Sequence, residues 1–90
     1  MTDQDDLENR PLMPDGFDDC VIGLTTEMTP AVIYDHDKVI ESIMNNNEMD
    51  HEEAVDFFEY NVVRGAQYEK GIPPIYIRTL TADEIHAEYE

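Results

Sequence analysis

Every compact state of this chain must keep twenty-two carboxylates in water. Only five lysines and arginines oppose them on 90 residues, so the formal charge is −17. An unpaired carboxylate is costly to bury. The acids must therefore lie outside, and the core must come from the 41% of residues that are hydrophobic. That fraction is too high for a wholly disordered acidic chain. Ninety residues make one small domain with a modest core, and self-repulsion works against its compaction. Marginal stability is expected, helped by dimerisation or by a partner. The same charge repels nucleic acid and anionic membrane, and it attracts the basic clefts of proteins that handle nucleic acid.

Residues 1–16 carry five acids and two prolines with little apolar content, which predicts a flexible acidic arm before a single domain over 17–90. Leu12 and Met13 are placed to pin the end of that arm, and Asp15-Gly16 marks a turn. Cys20 to Thr26 reads as a strand with Cys20, Ile22 and Leu24 on one side and Val21 on the other. Ala31 to Tyr34 follows closely enough to pair with it as an antiparallel hairpin.

Asp35 or Asp37 caps the next element. There Val39, Ile40, Ile43 and Met44 recur at helical spacing, while Lys38, Glu41 and Ser42 face outward. Asn45-Asn46-Asn47 ends that helix. Asp50-His51-Glu52-Glu53 is a capping box that opens the strongest helix, with Ala54, Phe57, Phe58, Asn61 and Val62 as its buried stripe. Gly65 and Gly71 are successive stop points, and Pro73-Pro74 forbids continuation. Ile75 to Leu80 reads as a third strand. Thr81-Ala82-Asp83-Glu84 caps a short terminal helix. The predicted fold is α+β: a small three-stranded, mainly antiparallel sheet with two helices on one face, in the order β-β-α-α-β-α.

Signatures of chemistry are missing. Asp18-Asp19 and Glu52-Glu53 are paired acids, but a solvated face explains them. Asp35-x-Asp37 begins like a calcium loop, yet Val39 and Ile40 stand where a ligand and a glycine belong. His36, His51 and His86 form no helical metal pair and read as surface imidazoles. Ser42 and Cys20 lack an activating context for nucleophilic work, and the four glycines are scattered. No catalytic residue, metal or cofactor is expected, and the chain reads as a non-enzyme.

Cys20, the only cysteine, reads as a buried structural thiol and fits a reducing cytosol. The acidic start is not a signal peptide, and no apolar run approaches the roughly 20 residues that cross a bilayer. A cytoplasmic location follows. Direct nucleic-acid binding is not expected, because the five basic residues make no basic surface. Arg64, Lys70 and Arg78 read instead as ion-pair partners for the acidic helices.

Helical neighbours three and four apart hold their Cβ atoms about 5–6 Å apart. Phosphates along one strand are separated by roughly 6–7 Å, from a rise of about 3.4 Å and a lateral step. Glu52, Asp56 and Glu59, with Asp50 and Glu53 beside them, form such a row, and Asp35, Asp37 and Glu41 extend it. These eight acids are the candidate partner-binding residues.

The segment Glu52-Glu53-Ala54-Val55-Asp56-Phe57-Phe58-Glu59-Tyr60-Asn61-Val62-Val63-Arg64-Gly65-Ala66, followed by Pro74-Ile75-Tyr76-Ile77, resembles a group of small uncharacterised bacteriophage and bacterial proteins. In that group an EEA-x2-(F/Y)FE-(F/Y)N-V-like helix precedes a Gly-Ala pair and a Pro-led strand. Asp19 to Gly23 and Val32-Ile33-Tyr34-Asp35 are similar too. Arg64 stands here as an additional residue before Gly65. The resemblance implies a phage or prophage origin and carries no activity with it. Small acidic phage proteins commonly block host defence enzymes. One expectation is therefore an anti-CRISPR or anti-restriction inhibitor that mimics nucleic acid on a basic host protein. The other is an adaptor or assembly protein that binds a partner or itself through an uncovered sheet face or through Tyr60, Tyr68 and Tyr76.

Overall fold

The computed structural model describes residues 10–67 and 69–89. Most of the predicted arm, residues 1–9, and Tyr68 lie outside the described residues. A 3-10 turn (Asp18–Cys20) leads into β1 (Val21–Leu24), and β2 (Val32–Asp35) runs directly into α1 (His36–Asn47). Next come α2 (His51–Phe57), a π-helical segment (Phe58–Val63) and α3 (Arg64–Gln67), which follow one another without a break. β3 (Ile75–Ile77) and α4 (Ala82–Tyr89) complete the fold.

The predicted α+β architecture holds, with strand order β1-β2-β3. β1 pairs antiparallel with β2, and the loop is closed by Thr25 N–H to the Ala31 carbonyl at 3.0 Å and Ala31 N–H to Thr25 Oγ1 at 2.9 Å. β3 lies parallel to β2, with Tyr34 opposite Tyr76. The sheet is therefore mixed, not mainly antiparallel. A tight loop forces antiparallel pairing, whereas the long helical crossover from β2 to β3 satisfies the length that parallel strands need.

Strand details differ as well. β1 shifts register between Val21 and Gly23, so two of its residues oppose one on β2. The bulge breaks the expected alternation: Cys20 is buried in the turn, while Val21, Ile22 and Leu24 are all exposed. β3 ends at Ile77 and not at Leu80.

Caps place the helices as the sequence predicts. Asp35 accepts the Lys38 N–H at 3.2 Å, and Asp50 and Glu53 complete a reciprocal box at 2.8 and 3.3 Å. Thr81 and Glu84 do the same for α4 at 3.1 and 3.2 Å. Glu48, in the left-handed conformation at φ 53°, closes α1 in place of an asparagine.

The core lies between one sheet face and the helix pair. Val32 and Tyr34 from β2 meet Val39, Ile40 and Ile43 from α1 and Ala54, Phe58 and Val62 from the second helix. Phe58 is its hinge: its ring sits edge-on to Tyr76 at 4.7 Å and to His36 at 5.2 Å, and Tyr76 stacks at a tilt on Tyr34 at 5.5 Å. His36 is thus an aromatic member of the core edge, not a surface imidazole. Ile33, Ile75 and Ile77 point to the other sheet face by strand alternation. Ile75 and Ile77 are exposed there, and so is every residue of α4.

Burial raises the Tyr34 phenol, and it pushes Tyr76 up to about 12, with Tyr34 adding a smaller effect. A phenol whose folded value exceeds its unfolded value of about 10 contributes stability that is complete below pH 10. That stability is lost as pH rises toward the folded value. The urea midpoint should stay level to about pH 9.5 and fall between about 10 and 12. Tyr76→Phe should flatten that fall. An alkaline limb of the same depth in the Phe variant would contradict this assignment.

Residues 10–12 belong to the body, not to a loose arm. Leu12 N–H donates to the Ile72 carbonyl, and Ile72 N–H donates to the Arg10 carbonyl, both at 2.9 Å. Gly71 makes this possible. Its φ is +142°, and a Cβ there would stand 2.8 Å from the Arg10 carbonyl oxygen and 2.7 Å from Leu12 Cδ2. Gly71→Ala should cost about 2 kcal/mol or more from strain and crowding together. A urea titration that shows less than about 0.5 kcal/mol would mean that residues 10–12 simply move aside.

Candidate functional site

The eight candidate acids divide by what their carboxylates touch. Asp35 is half-buried and consumed by its cap, and Asp50 and Glu53 are consumed by theirs. Asp37 stands out from the first turn of α1, 3.5 Å from His36 Nδ1. Glu41 lies on the exposed side of α1, bordering a shallow depression shared with Asp19 and Lys38. Glu52, Asp56 and Glu59 are exposed along the second helix, at spacings of four and three residues.

No cation offsets this last row among the described residues. Arg64 sits over the Tyr60 ring at 4.6 Å, and Arg78 pairs with Glu88 of α4 at 2.8 Å. Of the cations expected to pair with the acidic helices, Arg78 does so on α4, whereas Arg64 and Lys70 form no ion pair among the described residues. Asp37 and Glu88 are the only carboxylates among the described residues within ion-pair distance of a basic group. The acidic surface of the described residues thus keeps nearly its full charge. Raising ionic strength from about 0.01 M to 0.15 M shortens the screening length from roughly 30 to 8 Å. This should raise the melting temperature by roughly 4–8 °C, the equivalent of about 1 kcal/mol. A melting temperature that drops on adding salt would refute this.

The row continues from α2 into the π segment, where Arg64 N–H donates to the Glu59 carbonyl five residues back. π turns are rare and concentrate at functional positions. Here the wider winding keeps Phe58 and Val62 in the core but carries Asn61 out of the predicted buried stripe and leaves Phe57 half-exposed. The Asn61 side chain donates back to the Phe57 carbonyl at 3.2 Å.

Phe57, Asn61 and Gly65 thereby form one wall of a cleft of about 440 Å³ at the end of the helix pair. The C-terminal turn of α1 and the segment around Phe17 close its other sides. Sequence reasoning missed this cleft. Its available signal was the four-residue spacing of Phe57, Asn61 and Gly65, a mixed face unsuited to a closed core.

Burial, more than the nearby Asp19, pushes the Cys20 thiol up, which suits a structural role. Among the described residues, no three carboxylate, imidazole or thiol groups gather as a metal set would. No helix among them is long and apolar enough to cross a membrane. No protein-family model, curated protein or solved structure matches the chain.

Proposed function

We propose that this chain is a non-enzymatic acidic inhibitor that occupies a basic nucleic-acid-binding surface of a host defence protein. By the resemblance of its helix, it is phage-encoded and acts in the host cytoplasm. The observation that carries this reading is the row Glu52, Asp56 and Glu59, exposed on a capped helix and without a cation partner among the described residues. Asp37 and Glu41 supply a second charged strip on α1. Fixed carboxylates favour fast, steered association with a basic cleft, and they release that cleft's counterions.

Competition decides the matter. The immobilised chain is exposed to bacterial lysate, and retained proteins are challenged with duplex DNA at constant ionic strength. Nucleic-acid-binding proteins should be retained, displaced by DNA, and bound more weakly as salt rises. Retention that ignores both DNA and salt would sink the reading.

The adaptor reading draws on a different observation, the exposed Ile75 and Ile77 of the uncovered sheet face with Ile85 and Tyr89 of α4 nearby in the chain. Tyr76 is not part of it, because its ring faces the core. Binding by that face to a partner or a second copy would persist in high salt and fail in Ile75→Lys or Ile77→Lys.

A further inference from the structure

We propose that the cleft between the helix ends takes a large apolar side chain of a peptide segment in which lysine or arginine flanks that side chain. This rests on the inhibitor reading and names the kind of segment the basic partner presents. The cleft is apolar inside, from Phe17, Ile43 and Val62 with Phe57 on its wall, and the exposed Asp15 and Glu69 stand at its rim. Among the described residues, no lysine, arginine or histidine lines it.

Asn46 and Asn47 belong to the last turn of α1, so the negative end of that helix also opens here. An anionic ligand would meet two carboxylates and a helix C-terminus. A neutral apolar ligand would bring nothing to pair with the rim. A side chain that is apolar at its tip, with cations on the backbone to either side, satisfies floor and rim together. The volume lies within the usual range for a bound group of this size. Continuity with the acidic row favours a peptide over a small amine. Phe57 and Asn61 of the cleft wall belong to the same continuous helical run as Asp56 and Glu59 of the row.

Gly65 makes the test clean. It lines the cleft, and a Cβ built on it meets no atom of the described residues within 4 Å, so a side chain can be added there without backbone strain, and Gly65→Leu is the variant expected to obstruct the cleft. The chain has no tryptophan, so the fluorescence of a tryptophan-bearing ligand reports binding directly. The probes are the capped tripeptides Arg-Trp-Arg, Arg-Ala-Arg and Glu-Trp-Glu, the second read by shifts of the Asn61 and Gly65 amide resonances.

Arg-Trp-Arg should bind saturably and shift both amides, roughly tenfold more tightly than Arg-Ala-Arg, as burial of one aromatic side chain supplies, and at least about threefold more tightly than Glu-Trp-Glu, whose arms meet the acidic rim. Gly65→Leu should remove that advantage. Asp15→Asn with Glu69→Gln should reduce the preference for Arg over Glu arms by about threefold or more. Glu52→Gln with Asp56→Asn and Glu59→Gln should leave tripeptide binding nearly unchanged.

Equal binding of Arg-Trp-Arg and Arg-Ala-Arg overturns the proposal, since charge alone would then explain it. Equal binding of Glu-Trp-Glu, or indifference to Gly65→Leu, overturns it too. Tripeptide failure alongside DNA-displaceable lysate capture removes this proposal alone. Specific tripeptide binding without DNA-displaceable capture removes the inhibitor reading instead.

Discussion

Phe58→Ala should destabilise the fold by about 3–5 kcal/mol, the largest effect expected of a single substitution here. The side chain is 4% exposed and touches aromatic rings on two elements, Tyr76 of β3 and His36 of α1. Its removal opens a cavity at the point where the helix pair meets the sheet, and it deletes both edge-to-face contacts. The π winding around Phe58 limits collapse into that space, because the helix cannot shift there without also moving Val62. A domain of this size carries roughly 5–13 kcal/mol in total, and self-repulsion among the carboxylates works against this one. The variant should therefore be largely unfolded at low ionic strength and partly rescued by salt. A urea transition with the wild-type midpoint would mean that β3 is held by something other than this ring.

Much of that architecture was readable because it rests on local chemistry. Asp50 and Thr81 cap the helices the sequence assigns to them, and Asp35 is the one of the two candidates, Asp35 and Asp37, that caps α1, since a side-chain oxygen reaching an amide three residues on needs no distant partner. Val39, Ile40 and Ile43 are buried because helical spacing sets them on one face. Tertiary features were harder. The parallel sense of β3 depends on how a long crossover returns, and nothing in Ile75-Tyr76-Ile77 encodes it. The bulge in β1 and the π turn at Phe58 are each a winding irregularity: the first separates exposed Ile22 from buried Cys20, with which alternation grouped it, and the second brings Asn61, predicted to be buried, to the surface. The same irregularity at Phe58 shaped the cleft, which is why residue pattern alone concealed it. For the acids, exposure of Glu52, Asp56 and Glu59 was evident. That Asp35, Asp50 and Glu53 are engaged by backbone amides follows from the caps themselves.

Neutralising the row, by Glu52→Gln with Asp56→Asn and Glu59→Gln, should weaken capture of a basic partner by roughly 10- to 100-fold. This range assumes about 0.5–1 kcal/mol for each exposed charge pair and allows for the stronger coupling seen when such pairs are desolvated. The stability of the free chain should move the other way. None of the three has a cation partner among the described residues, so removing their charge relieves repulsion and breaks no ion pair there. A higher melting temperature with weaker binding is a combination that a damaged fold does not produce. Net charge alone is separated by a control that removes the same number of charges elsewhere: Glu27→Gln, Glu48→Gln and Asp83→Asn, all exposed. That control should raise the melting temperature comparably and lose less than about threefold in binding, because distant charges act through a screened field while the row acts by contact. If both triple variants lose affinity equally, the partner senses overall charge and the placement of carboxylates on the helix has no role in recognition.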